Sequence, residues 1–479
     1  LVDSTRLSST DRAFLARLDG VAQAELVRCG ELSAAELLTA CAERIAALDP
    51  LLNAVVTLDI ERARGAPIGT GPFAGVPTLV KDVTPYPGLR WGMGSRLFAQ
   101  HQFAQSSPFS ERLDQSGLVI VGKSTTSEFG LLGSTETLAA GVTHNPWELS
   151  YSAAGSSGGA AVAVAAGLVP LAHANDGGGS TRIPASVCGL FGFKPSRGRC
   201  VPANAGSSDF SALVSDLCIS RSVRDSALFL AVTEARGGSL PEIGYVQRPL
   251  ERRLRLGVST RTALGEEPDP EVRVAFDEAV ELCVALGHEI VPALPHATDG
   301  EALGEAFFLV AGAAMSGMVE TVGQTRGRAV SRDELEPFTW SLIEAFRRRG
   351  PSALTSARAA FELAGRAYRT ELANYDALLT PTLALKPWRL GFLSPLAPPD
   401  ELRARTARAI GYTPIHNVVG SPGMSVPLHW SADGLPIGVH FAANTGDDQL
   451  LLELAYQLEA ARPWADRWAP VSFPRLFGS

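Results

Sequence analysis

Two serine-bearing, glycine-rich turns lie two dozen residues apart, Ala154-Gly155-Ser156-Ser157-Gly158-Gly159 and Asn175-Asp176-Gly177-Gly178-Gly179-Ser180-Thr181-Arg182-Ile183-Pro184. Glycine turns leave backbone N–H groups uncovered and admit a substrate closely. Two hydroxyls so placed suit a nucleophile and a proton relay. A third element lies upstream, where Gly75-Val76-Pro77-Thr78-Leu79-Val80-Lys81-Asp82 ends an apolar, strand-like run on a lysine. A serine hydroxyl becomes a nucleophile only when a base takes its proton, and the oxyanion it generates needs N–H donors. The chemistry that these residue types suit together is acyl transfer.

Other readings of the same residues stand beside this one. Gly117-Leu118-Val119-Ile120-Val121-Gly122-Lys123-Ser124 fits the letter of a phosphate-binding loop, but Leu-Val-Ile-Val is strand material whose amides belong to a ladder rather than to an anion. Gly155-Ser156-Ser157-Gly158-Gly159 fits a nucleophile elbow with Ser157 as nucleophile, and His288, His416, His429 and His440 are available as its base. That esterase reading leaves Lys81 and the second glycine cluster without a role. Lys81 itself has an ordinary alternative, an exposed strand-end lysine paired with Asp82.

The three segments together resemble the amidase signature family. Supporting stretches run almost the length of the chain: Gly122-Lys123-Ser124-Thr125, Thr143-His144-Asn145-Pro146-Trp147, Ala185-Ser186-Val187-Cys188-Gly189, Asn417-Val418-Val419-Gly420-Ser421-Pro422-Gly423 and Asp433-Gly434-Leu435-Pro436-Ile437-Gly438. The resemblance implies a triad of Lys81, Ser156 and Ser180, with Ser156 held by a cis peptide and Ser180 forming the acyl intermediate. It also implies an oxyanion hole from Gly177, Gly178 and Gly179, with Ser157, Asp176, Arg182 and Arg199 in support. In this scheme Lys81 acts as a base only when neutral, which burial favours. Arg182 is expected to pair with Asp176, Arg199 to flank the acyl pocket, and His173 to be a packing residue. Within the family the chain is most similar to cyclic-oligoamide hydrolases and urethane-cleaving amidases. Ala407-Arg408-Ala409-Ile410-Gly411 offers no carboxylate for a glutamine amine, which counts against a glutaminase-type amidotransferase subunit.

The elements that must position these groups are legible as alternating runs. Residues 10–70 read as an N-terminal helical layer, with Ser33 and Glu36 forming a capping box. β-rich runs at 54–58, 76–81, 118–121, 169–174 and 190–193 alternate with helices through a catalytic core spanning 74–215. A strand at 254–259 precedes a helix opened by Asp269-Pro270 and stopped by Gly287. Residues 300–375 read as a helical variable region forming a lid or wall, and strands return at 377–379, 424–428 and 437–441 within a C-terminal core of 376–479. The pattern predicts an α/β fold, one amidase domain over 1–479, with a central twisted mixed β-sheet covered by helices on both faces. The loop 201–215 is expected over the pocket.

The 479 residues carry 46% hydrophobic and 19% charged side chains and a net charge of −8, with no basic stripe for nucleic acid. Six cysteines stand far apart without a Cys-x-x-Cys pair, which suits free buried thiols. The apolar stretch 160–174 is interrupted by Pro170 and His173 and is too short to span a bilayer. The expectation is therefore a cytoplasmic hydrolase, monomer or homodimer, acting on a small-molecule amide or carbamate without metal or organic cofactor, nucleic acid or membrane.

Overall fold

A computed structural model describes residues 8–204, 206, 208–293 and 299–478. Its strands are β1 (Val55–Leu58), β2 (Pro77–Lys81), β3 (Val119–Ser124), β4 (Glu136–Thr137), β5 (Gly141–Val142), β6 (Leu171–Asp176), β7 (Phe191–Lys194), β8 (Ser215–Ser220), β9 (Arg255–Val258), β10 (Glu289–Pro292), β11 (Ala377–Pro381), β12 (Gly423–Trp430) and β13 (Pro436–Ala442). Eight of them form a mixed sheet in the order β10-β9-β11-β13-β12-β7-β8-β6, parallel among β10, β9 and β11 and antiparallel beyond. A three-stranded sheet, β1-β3-β2, stands beside the β6 edge. There the Thr78 hydroxyl donates to Leu171 O at 2.9 Å and the Lys81 amide to His173 Nδ1 at 3.3 Å. The strand that carries the lysine is thereby seated against the strand that leads into the second glycine turn.

Successive residues of a strand face opposite sides, and the central strands feed two separate cores. Leu171, Cys218, Phe191, Phe193, Met424 and Phe441 enter one core with the helices Val223–Thr233, Pro270–Ala285 and Asp448–Ala461. Ala172, Ala174 and Ile219 enter the other, with the helices Gly158–Ala165 and Arg182–Cys188. Every residue of Gly158–Ala165 is buried. Its small side chains permit that: a Cβ on Gly159 would sit 2.3 Å from Thr125 Oγ1 and 2.6 Å from Ala54 O.

The capping box at Ser33 is present, with Glu36 N–H donating to Ser33 Oγ at 3.2 Å and Ser33 N–H to Glu36 Oε2 at 2.8 Å. The block 300–375 holds three long helices, Gly300–Arg326, Pro337–Arg349 and Ala353–Leu372. Gly300–Arg326 is also long and apolar enough to cross a membrane by length and composition, which the broken 160–174 stretch is not. Half of its apolar window is buried inside the protein. Four strands escape the sequence pattern, two of them the two-residue pair β4 and β5. β8, Ser-Asp-Leu-Cys-Ile-Ser, lacks a β-branched run and is a strand because β6 and β7 pair with it on both sides. β10 is a four-residue edge strand ending in Pro292, and its pattern is too short to read.

Candidate active site

Ser156 and Ser180 are brought to one place by two turns of different construction. In the first, Ala154 takes a left-handed conformation at φ 53°, held by Thr135 Oγ1 donating to Ala154 O at 2.8 Å, and the Gly155–Ser156 peptide is cis. A Cβ on Gly155 would lie 2.5 Å from Ser134 O, so only glycine fits. The second turn follows β6 and is organised by a carboxylate. Asp176 accepts from the amides of Gly179 at 2.6 Å and Thr181 at 3.2 Å, and from Arg182 Nε at 2.9 Å and Nη2 at 2.8 Å. The turns join where Ser157 N–H donates to Ser180 O at 3.2 Å. Ser157 is fully buried, and its hydroxyl donates to Asn175 O at 3.3 Å.

Lys81 ends β2 with no exposed surface, its Nζ 2.7 Å from Ser156 Oγ and donating to Asn175 Oδ1 at 2.6 Å. It is therefore not the exposed strand-end lysine, and the Asp82 carboxylate is instead bonded by the amides of Gly92 and Gly94. Burial pulls the Lys81 ammonium down to about 7, against the pull of the Asp176 and Asp216 carboxylates in the other direction. Burial raises the Asp176 carboxyl, but the adjoining Arg182 guanidinium together with Lys194 and Asn417 outweighs it and holds the group well below the ordinary carboxylate range. Arg182 is bonded further to Asn417 Oδ1 at 2.7 Å and lies 3.1 Å from His440 Nε2. Asn417 Nδ2 closes the ring on Asp176 O at 2.8 Å. Arg182 is thus the paired structural cation that its position suggests.

Ser180 is half-buried and opens onto a cavity of about 150 Å³, walled by Gly130, Leu131, Gly155, Gly177 and Gly178 on the catalytic side and by Ile183, Phe210, Leu303, Phe307, Phe308 and Leu342 beyond. No acidic or basic side chain lines it among the described residues. Residues 406–415 contribute Thr406, Ala407, Ile410, Gly411, Pro414 and Ile415. Thr413 Oγ1 ties this segment to the turn by donating to Gly178 O at 2.7 Å. The helix Gly300–Arg326 forms much of the far wall, and Phe210 brings in the loop 201–215, whose residues 205 and 207 lie outside the described ones.

Several expectations change. The Gly179 amide is committed to Asp176, so it holds the turn rather than facing substrate, and Gly177 and Gly178 are the glycines at the cavity. Arg199 does not flank the pocket. It is buried between Glu234 at 3.1 Å and Asp448 at 3.1 Å, where it fastens the 196–200 segment to the helix Asp448–Ala461. The histidines of the esterase reading are engaged elsewhere: His440 at Arg182, His416 at Tyr368 and Ser421, His288 at Leu254 and Gln457, His429 at Glu278. His173 packs on Phe109 and lies 3.3 Å from Asp216. The phosphate-loop look-alike is β3, laddered on both edges by β1 and β2. Its Lys123 is buried, held down to about 8 by that burial, and donates to Thr84 O. Asn175, Thr413 and Asn417 contact the site without having been singled out, for an asparagine or threonine in a family stretch carries no chemical signature of its own.

A family model described as Amidase matches residues 36–452. The chain belongs to the amidase family. The amidase is 36% identical to the 6-aminohexanoate-cyclic-dimer hydrolase of a Pseudomonas species (strain NK87), across 94% of this chain and 96% of that protein. It is 38% identical to AmiC of Mycobacterium tuberculosis, across 95% and 97%. Among solved structures, 6-aminohexanoate cyclic dimer hydrolase complexed with substrate superposes with a TM-score of 0.87 at 33% identity, covering 95% of the amidase and 99% of that chain. A bacterial aryl acylamidase shares the amidase signature fold with a TM-score of 0.83 at 24% identity. The amidase thus has the amidase signature fold and is a hydrolase of amide bonds.

Proposed function

We propose that the amidase cleaves carboxamides through an acyl-Ser180 intermediate, with Lys81 as the base and Ser156 as the relay between them. The observation that carries this reading is the 2.7 Å contact of Lys81 Nζ with Ser156 Oγ at a site whose burial pulls the ammonium down to about 7, so that a large share of the amine is neutral near that pH. As Ser180 Oγ attacks the carbonyl carbon, its proton passes to Ser156 while the proton of Ser156 passes to Lys81. Amides of the 177–178 turn would receive the oxyanion, each such donor lowering the barrier by about 3 kcal/mol. The ammonium then returns its proton through Ser156 to the leaving nitrogen, the amine departs, and water repeats the sequence on the acyl ester.

The uncharged, aromatic-walled cavity suits the apolar part of a carboxamide of an aliphatic or aryl acid or amine. A carbamate presents the same carbonyl to the same serine and would give carbamoyl-Ser180, so urethanes are proposed as an extension. The relative named for hydrolysis of a cyclic dimer of 6-aminohexanoate supports a substrate of this apolar amide type. The test is a panel of anilides, aliphatic amides and carbamates, with mass spectrometry of quenched turnover. The expected result is an acyl adduct on the peptide containing Ser180 and a loss of about 10³-fold or more in kcat for Ser180→Ala. An adduct on Ser157, or full turnover by Ser180→Ala, would refute the assignment.

A further inference from the structure

The buried Lys81 amine has three polar neighbours. Its Nζ lies 2.7 Å from Ser156 Oγ, 2.6 Å from Asn175 Oδ1 and 3.5 Å from Asn175 O. A neutral amine has two N–H donors and one lone pair. The side-chain and main-chain carbonyls of Asn175 take the two donors, which leaves the lone pair directed at Ser156. We propose that Asn175 is the positioning residue of the relay: it turns the Lys81 amine so that its lone pair meets the Ser156 proton, and so gives the chain Ser180 to Ser156 to Lys81 a single direction.

Alternation along β6 explains why Asn175 has this task. His173 and Asn175 share one side of the strand, and both meet Lys81, the imidazole at its amide and the carboxamide at its amine. Ala174 and Asp176 take the other side, where Asp176 binds Arg182. Asn175 therefore links the strand that carries the base to the turn that carries the nucleophile. A neutral carboxamide is suited to the position, because it orients the amine without the charge that would hold it as ammonium. When the proton arrives, the third N–H of the ammonium points at Ser156 Oγ, ready to go back. The charged and titratable groups around the amine are Asp176 and Asp216, with His173 at the lysine backbone.

The proposal rests on the reading of Lys81 as the base, and its test separates the two. The probe is a fluorophosphonate, and the measurement is its second-order rate of labelling of Ser180 between pH 5 and 10, with the melting temperature as a control on folding. Asn175→Asp places a carboxylate on the amine and is expected to move the rising limb of the rate up by about one pH unit or more. Asn175→Thr keeps a hydroxyl acceptor where the isosteric Asn175→Val has none, so Thr is expected to label about 10-fold faster than Val at equal stability. If Lys81→Ala labels as fast as the wild type, the reading of the site fails and the proposal with it. If Lys81→Ala is inert while the Asn175→Asp limb overlays the wild type, or the Thr and Val variants label alike, the role of Asn175 alone is overturned.

Discussion

A buried lysine is costly unless it is neutral, and that cost is measurable at Lys81. Its folded value of about 7 lies below the ordinary 10.5, so the unfolded chain binds the extra proton between those limits. The penalty is fully present below about pH 7 and gone above about 10.5. Lys81→Met should therefore abolish turnover and yet melt higher than the wild type at pH 6, with a gain on the order of a few kcal/mol that disappears toward pH 10. Thermal scans at the two pH values check this. Asp176 shows the opposite dependence. Its depressed folded value means that its stabilisation is present above the unfolded pKa near 3.8 and is lost as pH falls further. Asp176→Asn would leave the Arg182 guanidinium buried without its carboxylate, at a cost of about 3–5 kcal/mol in denaturant unfolding.

At the scale of elements, the site depends on how closely the helix Gly158–Ala165 approaches its neighbours. Gly159→Ala would push a methyl into Thr125 and Ala54 O, and should cost about 1–3 kcal/mol of stability together with activity, since the helix begins two residues after Ser156. A second joint connects the 300–375 block to the 95–138 segment. Glu128 accepts from Ser95 Oγ at 2.7 Å and from the Glu336 amide at 2.9 Å, while Glu336 accepts from Leu138 N–H at 2.9 Å. Burial first, and then the Glu128 charge, push the Glu336 carboxyl up to about 8. A raised carboxyl binds its proton in the folded state and loses stability as pH climbs from about 4.5 to 8. Glu336→Gln should thus gain on the wild type in melting temperature at pH 8 relative to pH 5, and scans at both values decide it.

Legibility in the sequence follows element length and the distinctiveness of residue types. The strand that carries Lys81 stands out because Val76, Thr78 and Val80 form a β-branched run after Gly75, and the strand that leads to Ser180 because a short apolar run meets a glycine-rich turn. β8 does not, because two serines and an aspartate become a central strand only through the neighbours that pair with them. The triad candidates are visible from the glycine turns. The commitment of the Gly179 amide to Asp176 is not, for it depends on where a carboxylate turns after β6. Arg182 stands six residues from Asp176 and its pairing can be read, whereas the partners of Arg199, Glu234 and Asp448, lie far off in the sequence and only packing reveals them.

For the whole molecule, two cores and a helical wall converge on an uncharged cavity with Ser180 on its wall and the contact of Lys81 with Ser156 behind it. Phe307 lines the cavity, so under the proposed function Phe307→Ala should enlarge it and raise kcat/KM for bulky aryl amides over small aliphatic ones by about 10-fold or more, as a substrate panel would show. The central claim concerns the base, and the pH dependence of kcat/KM for a hydrolysed carboxamide tests it most directly. A neutral Lys81 predicts a rate that climbs through a single ionisation near pH 7 in the wild type, and about 10³-fold lower activity without that limb in Lys81→Ala. A Lys81→Ala enzyme that keeps both the rate and the limb would contradict it.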